Sequence, residues 1–169
     1  MQTDTLVVSK VDYCNAVLVG IPGYLQQRLQ SVLSEAALLI YSAKKYDHIS
    51  PLRELQWSRF PERILFGLCV LAYRWLTSTA PQYLADTLSL STNVATRCRL
   101  RSVDSRTLQL PSTRRTTFGD RAFSVAAARA WISLPPEIRN SDSLLTFRRM
   151  NKTYLFQLSF ANWTLLILL

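Results

Sequence analysis

The chain has few glycines, few cysteines and almost no histidine. Its 169 residues contain 4 glycines, 1 histidine (His48) and 3 cysteines, which are Cys14, Cys69 and Cys98. No two of these cysteines or the histidine have the spacing of zinc ligands, which excludes a zinc knuckle. An odd number of scattered cysteines is typical of a reducing compartment. The shortage of glycine favours a mainly helical fold over an all-β fold, which would need more turn glycines.

Long apolar segments are also missing. The apolar run at residues 6–8 is interrupted by Ser9 and Lys10, so it does not have the pattern of a signal peptide. The apolar tail at residues 162–169 is much shorter than the roughly 20 residues of a membrane span. We therefore expect an intracellular protein, nuclear or cytoplasmic, that is not secreted and has no membrane partner. An exposed tail of this kind would promote aggregation.

Motifs for catalysis or cofactor binding are not found. The only glycine-rich candidate, at residues 20–23, contains Pro22 and lacks the free backbone donors of a phosphate loop. Asp12 has no acidic neighbour, which favours a role as a helix cap or salt-bridge partner. His48 follows Asp47 directly, and adjacent side chains do not naturally face each other, so we expect a structural role. We predict no catalytic residue, no metal site and no cofactor.

Apolar periodicity predicts helices in the first half of the chain. Hydrophobic residues make up 49% of the sequence, enough for one ordinary core or two small ones. Residues 24–43 have apolar side chains at three- and four-residue spacings. A second helix is predicted from Pro61, which suits a first turn, to about residue 78. The predicted fold class is mainly α, a helical bundle-like core with a small β-hairpin in the C-terminal half.

The hairpin is predicted from two short β-prone segments, at residues 107–110 and 116–118. Asp120 is a candidate cap for a helix over residues 121–131, and Ser141 or Ser143 for the last helix. Trp57, Trp75 and Trp131 lie among apolar helical positions, so core packing is expected for them. Phe118 and Tyr154, nearer the basic half, are better candidates for stacking on bases.

Positive charge is concentrated in the C-terminal half. Residues 1–90 hold 8 basic and 7 acidic side chains, whereas residues 91–169 hold 12 basic and 4 acidic ones, a net charge of +8. Arginine supplies all but one of these 12 cations, and its guanidinium group can bind phosphate oxygens bidentately. Two interpretations stay open: a solvated basic surface, or a surface that binds a nucleic-acid backbone.

The segment GDRAFSVAAARAWISLPPEI at residues 119–138 resembles the C-terminal part of the reverse-transcriptase polyprotein of non-LTR retrotransposons (LINEs, jockey-like lineage). The resemblance continues in shorter blocks in the same order: DYCN at 12–15, KYDHISPL at 45–52, ELQW at 54–57, PERI at 61–64, APQYLAD at 80–86, LRS at 100–102, TFRR at 146–149 and LF at 155–156. Each block is weak alone, but their order and spacing cover roughly residues 6–160.

The resemblance implies a part of the polymerase that follows the catalytic palm. It predicts a thumb-like helical segment at residues 1–88, a basic linker at 89–106, a post-thumb segment at 107–160 and an added apolar tail at 161–169. The aromatic-x-Asp-Asp motif of such polymerases is absent, so we expect no enzyme activity. The expected partners are RNA or DNA, held by the phosphate backbone, and the polymerase palm. The predicted nucleic-acid-binding residues are Arg97, Arg99, Arg101, Arg114 and Arg115.

Two alternatives remain. The chain could be an interaction module that docks on a palm or another protein through residues 25–40 and the Phe123 face. It could also be a decayed relic without function, because it departs from the expected pattern at Gln56, at Ser58 and Arg59, at Ile132 and at Asn151. If Asn151 is buried, it would lack hydrogen-bond partners and reduce stability.

Overall fold

The structure, a computed structural model, describes residues 2–41, 51–84, 86–91, 106–113 and 119–166. Seven α-helices lie in these ranges: α1 (Gln2–Asp12), α2 (Gly23–Tyr41), α3 (Pro51–Glu54), α4 (Phe60–Leu76), α5 (Phe123–Ile132), α6 (Pro136–Arg139) and α7 (Leu144–Leu166). Short 3₁₀ turns at Asn15–Leu18 and Gln82–Leu84 complete the helical content. The prediction of a mainly helical protein is therefore confirmed.

The chain forms two compact units. One contains Met1–Phe66 and Lys152–Leu169, and the other contains Gly67–Asn151. We refer to them as the terminal unit and the central unit. Their limits differ from the four segments expected from the sequence, which follow the regions of a family rather than compactness, and that expectation stays a prediction.

The core of the terminal unit lies around the buried face of α2. Leu33 and Ala37 are fully buried there, and Leu52 and Trp57, which belong to the same cluster, are each 8% exposed. Half-buried apolar residues pack against them: Val8, Val11, Ile40, Leu55 and Phe160. Burial of Trp57 confirms the predicted core role. Helix α2 begins and ends within two residues of the range predicted from its apolar periodicity.

Polar contacts fix the start of α4 in the same unit. The first four N–H groups of a helix lack partners within the helix, and the Phe60 N–H donates to Oε1 of Gln30 at 2.8 Å. Arg63, one turn further, donates from Nη1 to Oδ1 of Asp12 at 2.8 Å. Asp12 is thus a salt-bridge partner, one of the two roles predicted for it. Nδ2 of Asn15 donates to the Arg63 carbonyl at 3.3 Å.

The core of the central unit is a cluster of three aromatic rings. The rings of Tyr73 and Phe147 stack with centroids 4.5 Å apart, and the Trp131 ring lies 5.6 Å from Phe147 and 6.4 Å from Tyr73. Trp131 and Phe147 have no exposed surface. Oη of Tyr73 donates to the Ser141 carbonyl at 3.0 Å, so the one polar atom of its ring is satisfied. The predicted core position of Trp131 is confirmed, whereas Trp75 is half-buried.

Helix α7 begins with the predicted serine cap. Oγ of Ser143 accepts the N–H of Thr146 at 3.1 Å, the bond that an N-cap side chain makes to the third helical residue. Ser141 instead donates from Oγ to the Ile138 carbonyl. Of the two candidates, Ser143 is the cap.

The predicted hairpin is not supported, since the described residues contain no strand. Residues 107–109 pair instead with residues 89–91, in one antiparallel bridge between Leu90 and Leu108. Leu108 is almost fully buried, and Pro111 has no N–H with which to extend the pairing. The proposed second strand, at residues 116–118, lies outside the described residues.

The predicted capping role of Asp120 is wrong. Helix α5 begins at Phe123, its N-cap is Ala122, and no side chain caps it. Because the helix begins two residues later than expected, Asp120 is too far from its first turn. Its Oδ1 accepts a hydrogen bond from Oγ1 of Thr113 at 3.1 Å and lies 3.4 Å from Nη2 of Arg129.

Candidate nucleic-acid interface

All five predicted nucleic-acid-binding residues lie outside the described residues. Arg97, Arg99 and Arg101 fall in residues 92–105, and Arg114 and Arg115 fall in residues 114–118. The structure does describe the residues that flank both segments, and these belong to the central unit.

The residues on either side of the first arginine segment are hydrogen-bonded to each other. The Ser91 N–H donates to the Thr107 carbonyl at 2.9 Å, and the Gln109 N–H donates to the Ser89 carbonyl at 2.8 Å. Oγ of Ser89 also donates to Oε1 of Gln109 at 3.0 Å. Residues 92–105 therefore begin and end at a single anchor, to which we refer as the first anchor.

The aromatic core holds the first anchor in place. Nε1 of Trp131 donates to the Arg106 carbonyl at 2.7 Å. Nη1 of Arg106 donates to the carbonyls of Arg139 and Ser141, at 3.0 and 3.1 Å. The Arg139 carbonyl belongs to the last residue of α6, and the Ser141 carbonyl lies two residues beyond it. Arg106 thus contributes to the fold, and its charge is only partly available to a ligand because the residue is half-buried.

The second arginine segment is flanked in the same way. Thr113 and Asp120 are joined by their side chains, as described above, and Gly119 lies directly against Thr113. A Cβ atom at residue 119 would lie 2.7 Å from Cβ of Thr113, closer than two carbon atoms can approach. This close approach requires glycine. Thr113, together with Gly119 and Asp120, forms the second anchor, which brings together the two ends of residues 114–118.

Exposed cations also lie on the described part of the central unit. Arg121, Arg129, Arg148 and Arg149 are exposed, and Arg129 makes only a long contact with Asp120. The sequence analysis counted these residues in the basic half but did not assign them to the site. Burial distinguishes them from Arg106 and Arg139, which are half-buried, and charge counting from the sequence does not show this difference.

The other candidate residues are less informative. Phe118 and His48 lie outside the described residues, and Tyr154 is half-buried in α7. Within the described ranges, no three His, Cys, Asp or Glu side chains are grouped closely enough to hold a metal ion. No helix in these ranges is long and apolar enough to span a bilayer.

Cys69 and Asn151 form a buried polar pair in the central unit. Burial raises the pKa of the Cys69 thiol from 9.0 to about 12, and the nearby Asn151 side chain opposes this only in part. Asn151 has no exposed surface, and neither its Nδ2 nor its Oδ1 has a partner at hydrogen-bond geometry. The thiol is therefore near the amide without satisfying it. The expected lack of partners for a buried Asn151 is confirmed.

The raised pKa of Cys69 predicts a loss of stability at high pH. The unfolded thiol ionises from about pH 9, whereas the folded thiol keeps its proton until about pH 12. Because the unfolded state loses protons first, the free energy of unfolding should fall as pH rises through this range. Urea unfolding at pH 8 and pH 10 measures the fall, and the Cys69→Ala variant should show less of it. Equal falls in both proteins would contradict the prediction.

The fold defines a mainly helical protein whose central unit contains both anchors. No family model, no curated protein and no solved structure matches the chain.

Proposed function

We propose that this chain is a non-catalytic, C-terminal segment of a retrotransposon-type RNA-directed DNA polymerase, and that it holds RNA or DNA by the phosphate backbone. The ordered sequence blocks and the helical fold support the first part of the proposal. The observation that carries the second part is the pair of anchors. Five arginines lie in two segments whose ends are hydrogen-bonded together on one compact unit.

Anchored segments suit backbone binding for an energetic reason. A basic segment that begins and ends at one point loses less conformational entropy on binding than an unanchored chain of equal length. Guanidinium groups contact phosphates without reading bases, so affinity should depend strongly on salt and little on sequence. The exposed Arg121, Arg148 and Arg149 would extend the basic surface of the same unit.

Salt dependence of binding tests the proposal. Fluorescence anisotropy with labelled single-stranded RNA and duplex DNA should give a steep negative slope of log affinity against log salt. Replacing Arg97, Arg99 and Arg101 with glutamine should reduce that slope by about 2 to 3, roughly one unit for each lost phosphate contact. Replacing Arg114 and Arg115 should reduce it by about 2.

A matched control separates specific contacts from net charge. The variant with Lys10→Gln, Arg53→Gln and Lys152→Gln also loses three exposed cations, all of them on the terminal unit. It should bind like the unchanged chain. A flat salt dependence, or equal losses in the control and in the arginine variants, would overturn the proposal.

A second candidate function is an interaction module. Much of the apolar face proposed for docking, within residues 25–40, is used inside the terminal unit, where Leu33 and Ala37 are buried. The opposite side of α2 nevertheless exposes large apolar residues: Tyr24, Val32 and Leu39 are 64%, 57% and 82% exposed. These side chains alternate with the exposed Arg28 and Glu35, so a partner that binds here must match both apolar and charged groups.

A further inference from the structure

The exposed side of α2 carries a single row of side chains, which we call the α2 stripe: Tyr24, Arg28, Val32, Glu35 and Leu39. All five residues are exposed. At about 100° per residue they lie within about 50° of one direction around the helix axis. The fully buried Leu33 and Ala37 point to the opposite side. The stripe is therefore a continuous seam about 22 Å long, from the first turn of α2 to its last.

The order of residues in the α2 stripe is symmetric about its centre. Tyr24 lies as far before the midpoint between Ser31 and Val32 as Leu39 lies after it. Arg28 and Glu35 also lie at equal distances before and after this midpoint, and they are nearer to it. Along the stripe, an apolar residue and a cation precede the centre, and an anion and an apolar residue follow it. A second stripe that runs in the opposite direction therefore has an anion where the first has a cation.

This symmetry identifies the partner. Two α2 helices packed antiparallel about a two-fold axis would place each Arg28 opposite Glu35 of the second copy, and each Tyr24 opposite Leu39 of the second copy. Val32 would lie beside the axis. Within one helix Arg28 and Glu35 lie about 10 Å apart along the axis, and neither forms a salt bridge with another described residue. We propose that the α2 stripe is an isologous dimer interface, occupied by the same stripe of a second copy of this chain.

A different partner is less well matched. A surface of one charge sign would attract Arg28 or Glu35 and repel the other, whereas a second copy satisfies both residues twice. Paired helices fix their register by apolar contacts and by ion pairs between the two helices. The proposal concerns the terminal unit and is independent of nucleic-acid binding by the central unit.

Charge reversal tests the interface. Sedimentation equilibrium of the full chain over a micromolar range should show a reversible dimer. Arg28→Glu alone and Glu35→Arg alone should each weaken the dimer at least about tenfold, because each places like charges opposite one another at two symmetric positions. A mixture of the two variants should dimerise like the unchanged chain, since both facing charge pairs of the mixed dimer then join Glu to Arg. The double variant should dimerise as well.

Control variants and the mixing result keep the test decisive. Arg53→Glu and Glu54→Arg change equally exposed charges on α3 and should leave dimerisation unchanged. Circular dichroism should show the same helix content in every variant. A monomeric unchanged chain, reversed variants that associate as before, or a mixture that stays monomeric would each overturn the proposal, and binding to a different protein by a monomeric chain would assign the stripe to that protein instead.

Discussion

Replacing Trp131 with alanine is expected to lower the free energy of unfolding of the central unit by about 3 to 5 kcal/mol. The substitution removes the largest fully buried side chain of the described residues and leaves a cavity beside Tyr73 and Phe147. It also leaves the Arg106 carbonyl without the indole N–H that it accepts at 2.7 Å. Urea unfolding followed by circular dichroism measures the loss.

Two further variants divide this effect into its parts. Trp131→Phe keeps an aromatic ring and loses the donor, so it should cost less, about 1 to 3 kcal/mol. Ile132→Ala, at a neighbouring position that is 42% exposed, should change the free energy of unfolding by no more than about 0.5 kcal/mol. A loss for Trp131→Ala no larger than that of Ile132→Ala would show that the aromatic cluster does not stabilise the unit.

Replacing Asn151 with leucine is expected to raise the free energy of unfolding by about 1 to 3 kcal/mol. Native structures seldom contain a fully buried amide with neither atom bonded, because its desolvation is not compensated. Leucine has nearly the same branched shape and needs no partner. Thermal and urea unfolding of both proteins measure the gain.

Asn151→Asp is the matched comparison. It keeps the shape of the side chain but introduces an acid beside Cys69, so at neutral pH it should destabilise the protein. Opposite signs for the leucine and aspartate variants would identify desolvation as the cause. A destabilising leucine variant would instead show that the site is too tightly packed for a larger apolar group.

Sequence reasoning succeeded where periodicity or local chemistry decides the structure. The apolar spacing of residues 24–43 fixes α2, Ser143 caps α7 with its own side chain, and Trp131 is buried because its neighbours are apolar. The lack of partners for a buried Asn151 was also expected, because the family resemblance predicts an apolar residue at that position. The first three conclusions depend on residues that are close in the sequence.

The failures concern contacts between residues far apart in the chain. Residues 107–109 were expected to pair with the next β-prone segment. They pair instead with residues 89–91, and Leu108 is buried in the central unit. Asp120 was expected to cap a helix, but its carboxylate joins Thr113 and Arg129. The anchors were missed for the same reason, because hydrogen bonds between residues 7 to 20 positions apart, outside helices, leave no periodic pattern in the sequence.

The unpartnered amide of Asn151 also bears on the hypothesis that the chain is a decayed relic without function. Its cost would be expected in a decayed chain, but single substitutions also stabilise many functional proteins. The relic hypothesis therefore also requires that the chain bind no nucleic acid, form no dimer and bind no partner protein.

The distribution of tryptophan gives the two units separate optical reporters. Trp57 lies in the core of the terminal unit, whereas Trp131 is fully buried in the central unit together with the half-buried Trp75. In a chain with Trp57→Phe and Trp163→Phe, the tryptophan fluorescence would come only from Trp75 and Trp131 of the central unit. Its emission during urea unfolding would follow that unit, while circular dichroism followed the helices of both. Coincident curves would mean that the whole chain unfolds as one cooperative molecule.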